Sequence, residues 1–343
     1  MRREKRYRKI GRIIGLLLLV IVTLLGCSLP GLGKSVAGNG IVIAGGNTTE
    51  RQILAEIVSQ MCDHYLSDTD TDITLINNLG STLLILQALK GKDANISGAM
   101  YTGTSLTGEL GLEPATDPDK AMEEVVKGYS SEYNMVWFPS YGFENTYAFM
   151  VTRQLADEKG IHKISDLKPY ADTLKVGVDT AWIERKGDGY EGFKDLYGFT
   201  LDKMSSMEIG LVYDAVRAGK MDVVLGYSTD GRIDAYDLVV LEDDLHLFPP
   251  YDASPVATKE LLRKYPEVET ILLKLEGAID SEKMQKLNRI SDEEQIEPRI
   301  VAGQFLEENH YFEEKDTIPL AERELYKDVV RDILPPGKDK EGK

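Results

Sequence analysis

Cysteine and histidine are scarce in this chain of 343 residues. The two cysteines, Cys27 and Cys62, are too few for a disulfide framework. The four histidines are scattered along the sequence, and no two of them have the spacing of a helical zinc site. We therefore predict neither a metal site nor a structural disulfide.

Signatures of catalysis and of cofactor binding are also missing. The sequence has no GxSxG nucleophile elbow and no dinucleotide-binding fingerprint, that is, no GxGxxG directly after a predicted strand. Residues 68–72 (DTDTD) resemble the start of a calcium loop, but Ile73 stands at the glycine position and Leu79 at that of the bidentate acid. We predict a protein that is not an enzyme and needs no cofactor.

Positive charge is in deficit, since the formal net charge is −17. Residues 1–26 contain seven of the 40 basic residues and one of the 57 acidic ones, which leaves 33 basic and 56 acidic residues from 27 onward, a net of about −23. Such a surface repels nucleic acid, so we predict no nucleic-acid partner.

The first 26 residues have the order of a secretory signal. Seven basic side chains precede an uncharged apolar run at 13–25, about thirteen residues long, whereas a bilayer-spanning helix needs roughly twenty. The run ends in 24–27 (LLGC), which resembles the bacterial lipobox. That resemblance implies cleavage after residue 26 and lipidation of Cys27, hence a lipid anchor on the extracytoplasmic face of the cell membrane. The alternative is a transmembrane start with an incidental cysteine.

Residues 27–40 are rich in glycine and serine and predict a flexible tether. From Ile41 onward, short apolar runs alternate with helical periodicity, which is the pattern of an α/β fold with parallel sheets. We predict strands at 41–44, 73–76, 94–99, 146–152, 175–179, 221–226 and 238–241. The exported part of roughly 315 residues exceeds the size of one hydrophobic core, so we expect two lobes with a ligand cleft between them.

Two helical segments can be placed from the sequence. One begins at the capping-box spacing of Asn47 and Glu50 and buries Cys62 together with an apolar face of Ile53, Leu54, Ile57 and Met61. The other is a single amphipathic helix that begins near Glu313 and ends in a frayed tail, so that 313–343 form a C-terminal appendage.

Tyrosine is the abundant aromatic residue, with 17 tyrosines against 8 phenylalanines. Several tyrosines stand beside small and polar residues where predicted strands begin or end, and the carboxyl ends of strands border the ligand crevice of open α/β sheets. A quaternary ammonium has no N–H to donate, so ring faces are its natural host. For any single tyrosine, the alternative is an ordinary core residue with its hydroxyl at the surface. The four that interest us are Tyr101, Tyr147, Tyr227 and Tyr251.

Local strings between Ile41 and Phe312 resemble the substrate-binding lipoproteins of osmoprotectant (glycine betaine/carnitine/choline) ABC transporters. The strings are 101–104 (YTGT), 140–149 (SYGFENTYAF), 209–216 (IGLVYDAV), 227–232 (YSTDGR) and 248–252 (FPPYD). The resemblance implies a type II periplasmic-binding-protein fold, in which two α/β lobes joined by a two-strand hinge enclose the ligand. The expected bounds are 41–144 and 249–312 for lobe 1 and 145–248 for lobe 2. The implied partners are an ABC permease and its ATPase subunits.

The resemblance also implies the residues of the site. The four tyrosines named above match a cage for the trimethylammonium group, and Thr104 matches a residue that helps to bind the carboxylate or tail of the ligand. Where relatives have a polar side chain after the first strand, this chain has Gly46 and then Asn47. Asn145 and Arg185 are further candidates, with a simple ion pair as the alternative for Arg185.

Three other functions stay open at this stage. A lipoprotein of the same fold could bind another small solute such as an amino acid, for which an arginine on the carboxylate would be typical. An enzyme acting on choline-like compounds would need a nucleophile or a metal beside the cage. A structural surface lipoprotein would bind no ligand.

Overall fold

A computed structural model describes residues 40–185 and 187–333 of the chain. These residues form two α/β lobes, each built on a sheet of five strands. The predicted signal peptide at 1–26, Cys27 with its predicted lipid, and residues 28–39 of the predicted tether lie outside the described residues. Gly40 already belongs to the first strand.

The first sheet has the strand order β2-β1-β3-β10-β4. Strand β1 is parallel to β2 and β3, whereas β10 is antiparallel to β3 and β4. Every residue of β1 is buried, as expected for an apolar run at the centre of a sheet covered on both faces. The strands are β1 (Gly40–Gly46), β2 (Asp72–Leu79), β3 (Ile96–Tyr101), β4 (Met135–Trp137) and β10 (Ala253–Thr258).

The second sheet has the order β7-β6-β8-β5-β9. Its strand β6 is parallel to β7 and β8, and β5 is antiparallel to β8 and β9. The strands are β5 (Tyr147–Thr152), β6 (Lys175–Asp179), β7 (Lys203–Met207), β8 (Val223–Tyr227) and β9 (Leu238–Val240).

Helices flank both sheets. Those of the first lobe are α1 (Thr49–Tyr65), α2 (Thr82–Gly91), α3 (Thr102–Thr104), α4 (Pro118–Tyr133), α10 (Lys259–Lys264), α11 (Glu267–Leu273), α12 (Ser281–Asp292), α13 (Pro298–Glu308) and α14 (Lys327–Val330). Helix α3 continues into a π-helical turn at Ser105–Glu109. Those of the second lobe are α5 (Arg153–Lys159), a 3-10 helix at Ile164–Tyr170, α6 (Thr180–Ile183), α7 (Tyr190–Tyr197), α8 (Ile209–Arg217) and α9 (Gly231–Ala235).

The sheets are mixed: three strands of each are parallel, as predicted, whereas the antiparallel pairs were not predicted. Strands β5 and β10 each enter a lobe directly from the connection with the other lobe, and they pair antiparallel with their neighbours. Three strands were missed because their sequences carry no clear strand signal. β4 has only three residues, β7 is a half-exposed polar run, and Pro255 in β10 lies at an irregularity of the ladder where its missing N–H is tolerated.

Helix α1 buries the predicted apolar face and the thiol of Cys62 in the first-lobe core. Burial, with a smaller contribution from Asp63, raises the pKa of Cys62 to about 12. The predicted capping box is wrong in its register: Thr48 is the N-cap, and its hydroxyl accepts the N–H of Arg51 at 3.4 Å. The side chain of Glu50 therefore takes no part in capping the helix.

The single amphipathic helix predicted from Glu313 is also wrong. Residues 313–333 form a 3-10 turn at Leu320–Glu322 and the short helix α14, because Pro319 interrupts any continuous helix there. The apolar side chains of this segment are nevertheless buried on the first-lobe core, which explains their spacing; they are Leu320, Tyr326, Val329, Val330 and Ile333. Residues 334–343 lie outside the described residues.

Two stretches of chain connect the lobes, and they run antiparallel beside each other. Glu144 and Asp252 form an isolated antiparallel bridge, and the N–H of Asn145 donates to the carbonyl of Tyr251 at 3.1 Å. Helix α12 of the first lobe also contacts the second lobe, since Gln285 donates to the carbonyl of Ser228 at 2.7 Å.

The paired carboxylates of the connection give a test by pH. Burial raises the pKa of Glu144, as does the charge of Asp252, and burial raises the pKa of Asp252 as well. A raised pKa in the folded state means that stability is lost as pH rises through that pKa. We expect Glu144→Gln to raise the melting temperature at pH 7 and to bring no gain at pH 4.

Glu260→Gln is the matched control for this experiment. The exposed Glu260 has its pKa lowered by the hydrogen bond and charge of Lys92, so the sign is reversed and the control should not stabilise at pH 7. Equal melting curves of Glu144→Gln and the wild type at both pH values would contradict the assignment.

Candidate functional site

A cavity of about 630 Å³ lies between the two lobes. Its wall contains residues from α1, from the ends of β3, β5 and β8, from the connection between the lobes and from α12. Eight of the nine residues predicted for ligand binding line it: Asn47, Tyr101, Thr104, Asn145, Tyr147, Arg185, Tyr227 and Tyr251. Gly46, the ninth, is absent from the wall.

Tyr147 and Tyr227 form the aromatic wall of the second lobe. They are direct cross-strand partners in the antiparallel pair of β5 and β8, so both side chains are on the same face of the sheet. Their ring centroids are 5.2 Å apart at an interplanar angle of 32°. The hydroxyl of Tyr147 donates to Asp179 at 2.6 Å, and burial together with this hydrogen bond raises the pKa of Tyr147.

Tyr101 forms part of the first-lobe wall. It ends β3, is 4% exposed, and donates its hydroxyl to the carboxylate of Glu50 at 2.6 Å. Burial, followed by the negative charge of Glu50, raises the pKa of Tyr101 well above its ordinary value. Tyr101 and Tyr147 therefore direct their hydroxyl protons to carboxylates, which keeps both phenols neutral.

Tyr251 lies in the connection between the lobes and packs against the turn of α3. A Cβ atom at Gly103 would come within 2.9 Å of the Tyr251 ring atoms Cε1 and Cζ, so glycine at 103 sets the position of this ring. The hydroxyl of Tyr251 accepts a long hydrogen bond of 3.4 Å from Arg185.

Arg185 combines the two roles considered for it. Its guanidinium is hydrogen-bonded through Nε to both carboxylate oxygens of Asp188, at 3.0 and 2.9 Å. Burial by itself lowers the pKa of Arg185, but the hydrogen bonds and charge of Asp188 outweigh burial and raise it. The same guanidinium lies 5.5 Å from the centre of the Tyr147 ring and lines the cavity.

Glu50 is a residue that the sequence reasoning did not assign to the site. One oxygen of its buried carboxylate accepts from Tyr101 and, at 2.8 Å, from Nδ2 of Asn145. Its other oxygen is 3.4 Å from Nδ2 of Asn288, which also donates to the carbonyl of Thr229 at 2.8 Å. A single carboxylate thus ties α1 and β3 to the interlobe connection and to α12.

Arg51 is the second residue that was missed. A sequence signal existed, because a basic residue in the first turn of a helix opposes the helix dipole and such exceptions often mark functional sites. Gly46 is buried at the end of β1, and a Cβ atom there would lie 2.3 Å from Cδ of Arg51. The place of a side chain at 46 is therefore taken by the stem of Arg51.

Over the described ranges 40–185 and 187–333, no helix has the length and apolar character needed to cross a bilayer. The same ranges contain no cluster of three or more His, Cys, Asp or Glu side chains arranged to hold a metal ion.

Comparison with known proteins identifies the family. Residues 39–308 match the substrate-binding domain of the ABC-type glycine betaine transport system. The carnitine transport binding protein OpuCC of Listeria monocytogenes is 46% identical over 301 residues, which are 88% of this chain and 96% of that protein. A glycine-betaine-binding protein of Pseudomonas aeruginosa is 32% identical over 288 residues, covering 79% of this chain and 88% of the relative.

The chain belongs to this family of ABC-transporter substrate-binding domains. A crystal structure of a glycine betaine/carnitine/choline ABC transporter superposes with a TM-score of 0.77 at 48% identity, over 80% of this chain and 100% of that one. The two lobes therefore have the type II periplasmic-binding-protein fold predicted from the sequence. This substrate-binding protein is not an enzyme, and it acts outside the cytoplasm with a small ligand and a permease as partners.

The network around Glu50 gives a stability test. Glu50→Ala removes the acceptor of the buried Tyr101 hydroxyl and of the half-buried Asn145. A buried donor that is left unsatisfied costs about 1–3 kcal/mol. We expect the free energy of unfolding in urea to fall by about that amount or more. Glu260→Ala, which breaks the exposed ion pair with Lys92, should change it by less than about 1 kcal/mol. Equal losses for both variants would show that the Glu50 network contributes no special stability.

Proposed function

We propose that this substrate-binding protein captures quaternary-ammonium osmoprotectants, namely glycine betaine, carnitine, choline and related compounds, in a cage of four tyrosines. One observation carries the proposal: four tyrosines spread over 150 positions of sequence line a single cavity, and they are Tyr101, Tyr147, Tyr227 and Tyr251. Two of the relatives are a carnitine transport binding protein and a glycine-betaine-binding protein, which supports the same ligand class.

The chemistry of such a ligand suits this wall. A trimethylammonium group has a diffuse charge and no proton to donate, so its best partners are the negative faces of aromatic rings. Each ring contributes about 0.5–2 kcal/mol once desolvated. Because Tyr101 and Tyr147 donate their hydroxyls to carboxylates, their rings are richer in electrons and their hydroxyls do not compete for the ligand.

The rings also supply a reason for closure. Tyr101 belongs to the first lobe, Tyr147 and Tyr227 belong to the second, and Tyr251 lies between them. A cation bound to one lobe gains the remaining ring contacts only when the lobes approach, so ligand shifts the population toward the closed form. Tyr227 is 40% exposed, so its ring is accessible from the cleft. The closed form is then the one offered to the permease.

Polar residues at the rim would orient the rest of the ligand. Thr104, Asn145 and Arg185 line the cavity beside the rings, and Asn47 stands at the start of α1. An amino acid is the alternative ligand. It would bring N–H donors that need free acceptors, whereas the acceptor oxygen of Glu50 that faces Tyr101 and Asn145 is already engaged.

Calorimetric titration of the Tyr227 variants tests the cage. Tyr227→Ala removes one exposed ring and should weaken the binding of glycine betaine, carnitine and choline alike by about 3- to 30-fold. Tyr227→Phe keeps the ring and should stay within about threefold of the wild type. Tyr236→Ala is the control, because Tyr236 is a half-buried tyrosine of the same lobe that does not line the cavity.

The ligand panel decides between the two ligand classes. Binding of proline without binding of any methylated amine would replace the proposal by the amino-acid alternative. Equal losses of affinity in Tyr227→Ala and Tyr236→Ala would contradict the proposed cage.

We further propose that lipid on Cys27 tethers the protein to the membrane and that residues 1–26 are cleaved. The support is the basic and apolar order of those residues and the sequence LLGC at 24–27. Two or more acyl chains give stable attachment, whereas one is marginal.

Mass spectrometry of protein from native membranes tests the anchor. The N-terminal peptide should begin at Cys27 and carry the mass of a diacylglycerol, while the buried Cys62 serves as the unmodified internal control. An N-terminal peptide that retains residues before 27, or an unmodified Cys27 thiol, would contradict the proposal.

A further inference from the structure

Arg51 is a cavity-lining arginine whose guanidinium has no carboxylate within 4.0 Å among residues 40–185 and 187–333. The contrast with its neighbours is clear, since Arg185 pairs with Asp188 and Arg232 pairs with Asp230 at the same cleft. The guanidinium carbon of Arg51 lies 5.1 Å from the centre of the Tyr101 ring, and the charge and a side-chain hydrogen bond of Arg51 partly offset the rise in the pKa of Tyr101.

The backbone around Arg51 is shaped to let this side chain reach the cavity. The absence of a side chain at Gly46 leaves room for its stem, because a Cβ there would approach Cδ of Arg51 to 2.3 Å and Cβ of Arg51 to 2.9 Å. Any other residue at 46 would push the arginine away from its present path.

The position concentrates positive potential at one end of the cavity. Arg51 lies in the first turn of α1, a helix of 17 residues, where unpaired backbone N–H groups already favour an anion. A guanidinium at that end is unfavourable for the isolated helix, so it needs a compensating partner. Two carboxylates line the same cavity without pairing with Arg51: Glu50 accepts from Tyr101, and Asp292 accepts from Thr49 at 2.5 Å.

We infer that Arg51, together with the amino end of α1, binds the carboxylate of a zwitterionic ligand such as glycine betaine or carnitine. The inference rests on the proposed function. Arg51 and the four tyrosines line the same cavity, and the carboxylate of glycine betaine is one methylene away from its methylated nitrogen. An arginine fork can bind both carboxylate oxygens. Choline has no carboxylate and gains nothing from this contact.

The experiment compares glycine betaine with choline on the full chain purified in detergent, by calorimetric titration of the wild type, Arg51→Gln and Arg51→Lys. Charged hydrogen bonds of this kind contribute enough that Arg51→Gln should weaken betaine binding by about 10- to 100-fold. Choline affinity should change by less than about threefold, since its cage contacts are kept. Arg51→Lys keeps the charge but loses the fork, so its loss for betaine should be smaller.

Arg217→Gln is the matched control. Arg217 is an exposed arginine over the ring of Tyr236, at 4.7 Å, and it lies outside the cavity. It should leave both ligands unaffected, and melting temperatures verify that every variant is folded.

The outcomes separate the two ideas. If the wild type binds both ligands but Arg51→Gln weakens them in parallel, or changes neither, the carboxylate role of Arg51 is wrong while the cage stands. If the wild type binds no methylated amine, the proposed function is wrong and this inference falls with it.

Discussion

The antiparallel pairing of the two connections between the lobes is the constraint on which the site depends. The N–H of Asn145 donates to the carbonyl of Tyr251, and this register fixes where each chain enters the neighbouring sheet. Two residues after Tyr251, Ala253 pairs with Tyr101 in the first sheet. Two residues after Asn145, Tyr147 pairs with Tyr227 in the second sheet.

Buried carboxylates complete what the strand register begins. Asp179 accepts from Tyr147 and Glu50 accepts from Tyr101, so both phenols are oriented by their hydroxyls. One guanidinium lies over each of these rings, Arg185 over Tyr147 and Arg51 over Tyr101. In a cleft for cations, a cluster of acids would otherwise suggest direct ion pairing. In the proposed cage the acids act through the rings, which suits a cation that offers no hydrogen bond.

Much of the fold was predictable from the sequence, and the errors have physical causes. The seven predicted strands all appear, and the central ones are apolar runs that the sheets bury on both faces. The missed strands are short, polar or interrupted by proline, and their pairing is imposed by neighbours far away in sequence. The single helix predicted for the C-terminal segment was wrong because its apolar residues pack on the first-lobe core as mostly irregular chain.

The sequence by itself determined the α/β class, the likeness to osmoprotectant-binding lipoproteins and eight of the cavity-lining residues, since these depend on local residue patterns. Only the tertiary structure decided that Glu50 and Arg51, adjacent in one helical turn, have different tasks at the cavity. The carboxylate of Glu50 is buried beneath three donors, whereas the side chain of Arg51 extends over Gly46 to reach the wall of the cavity. Such roles depend on groups brought close by folding, and no local pattern contains that information.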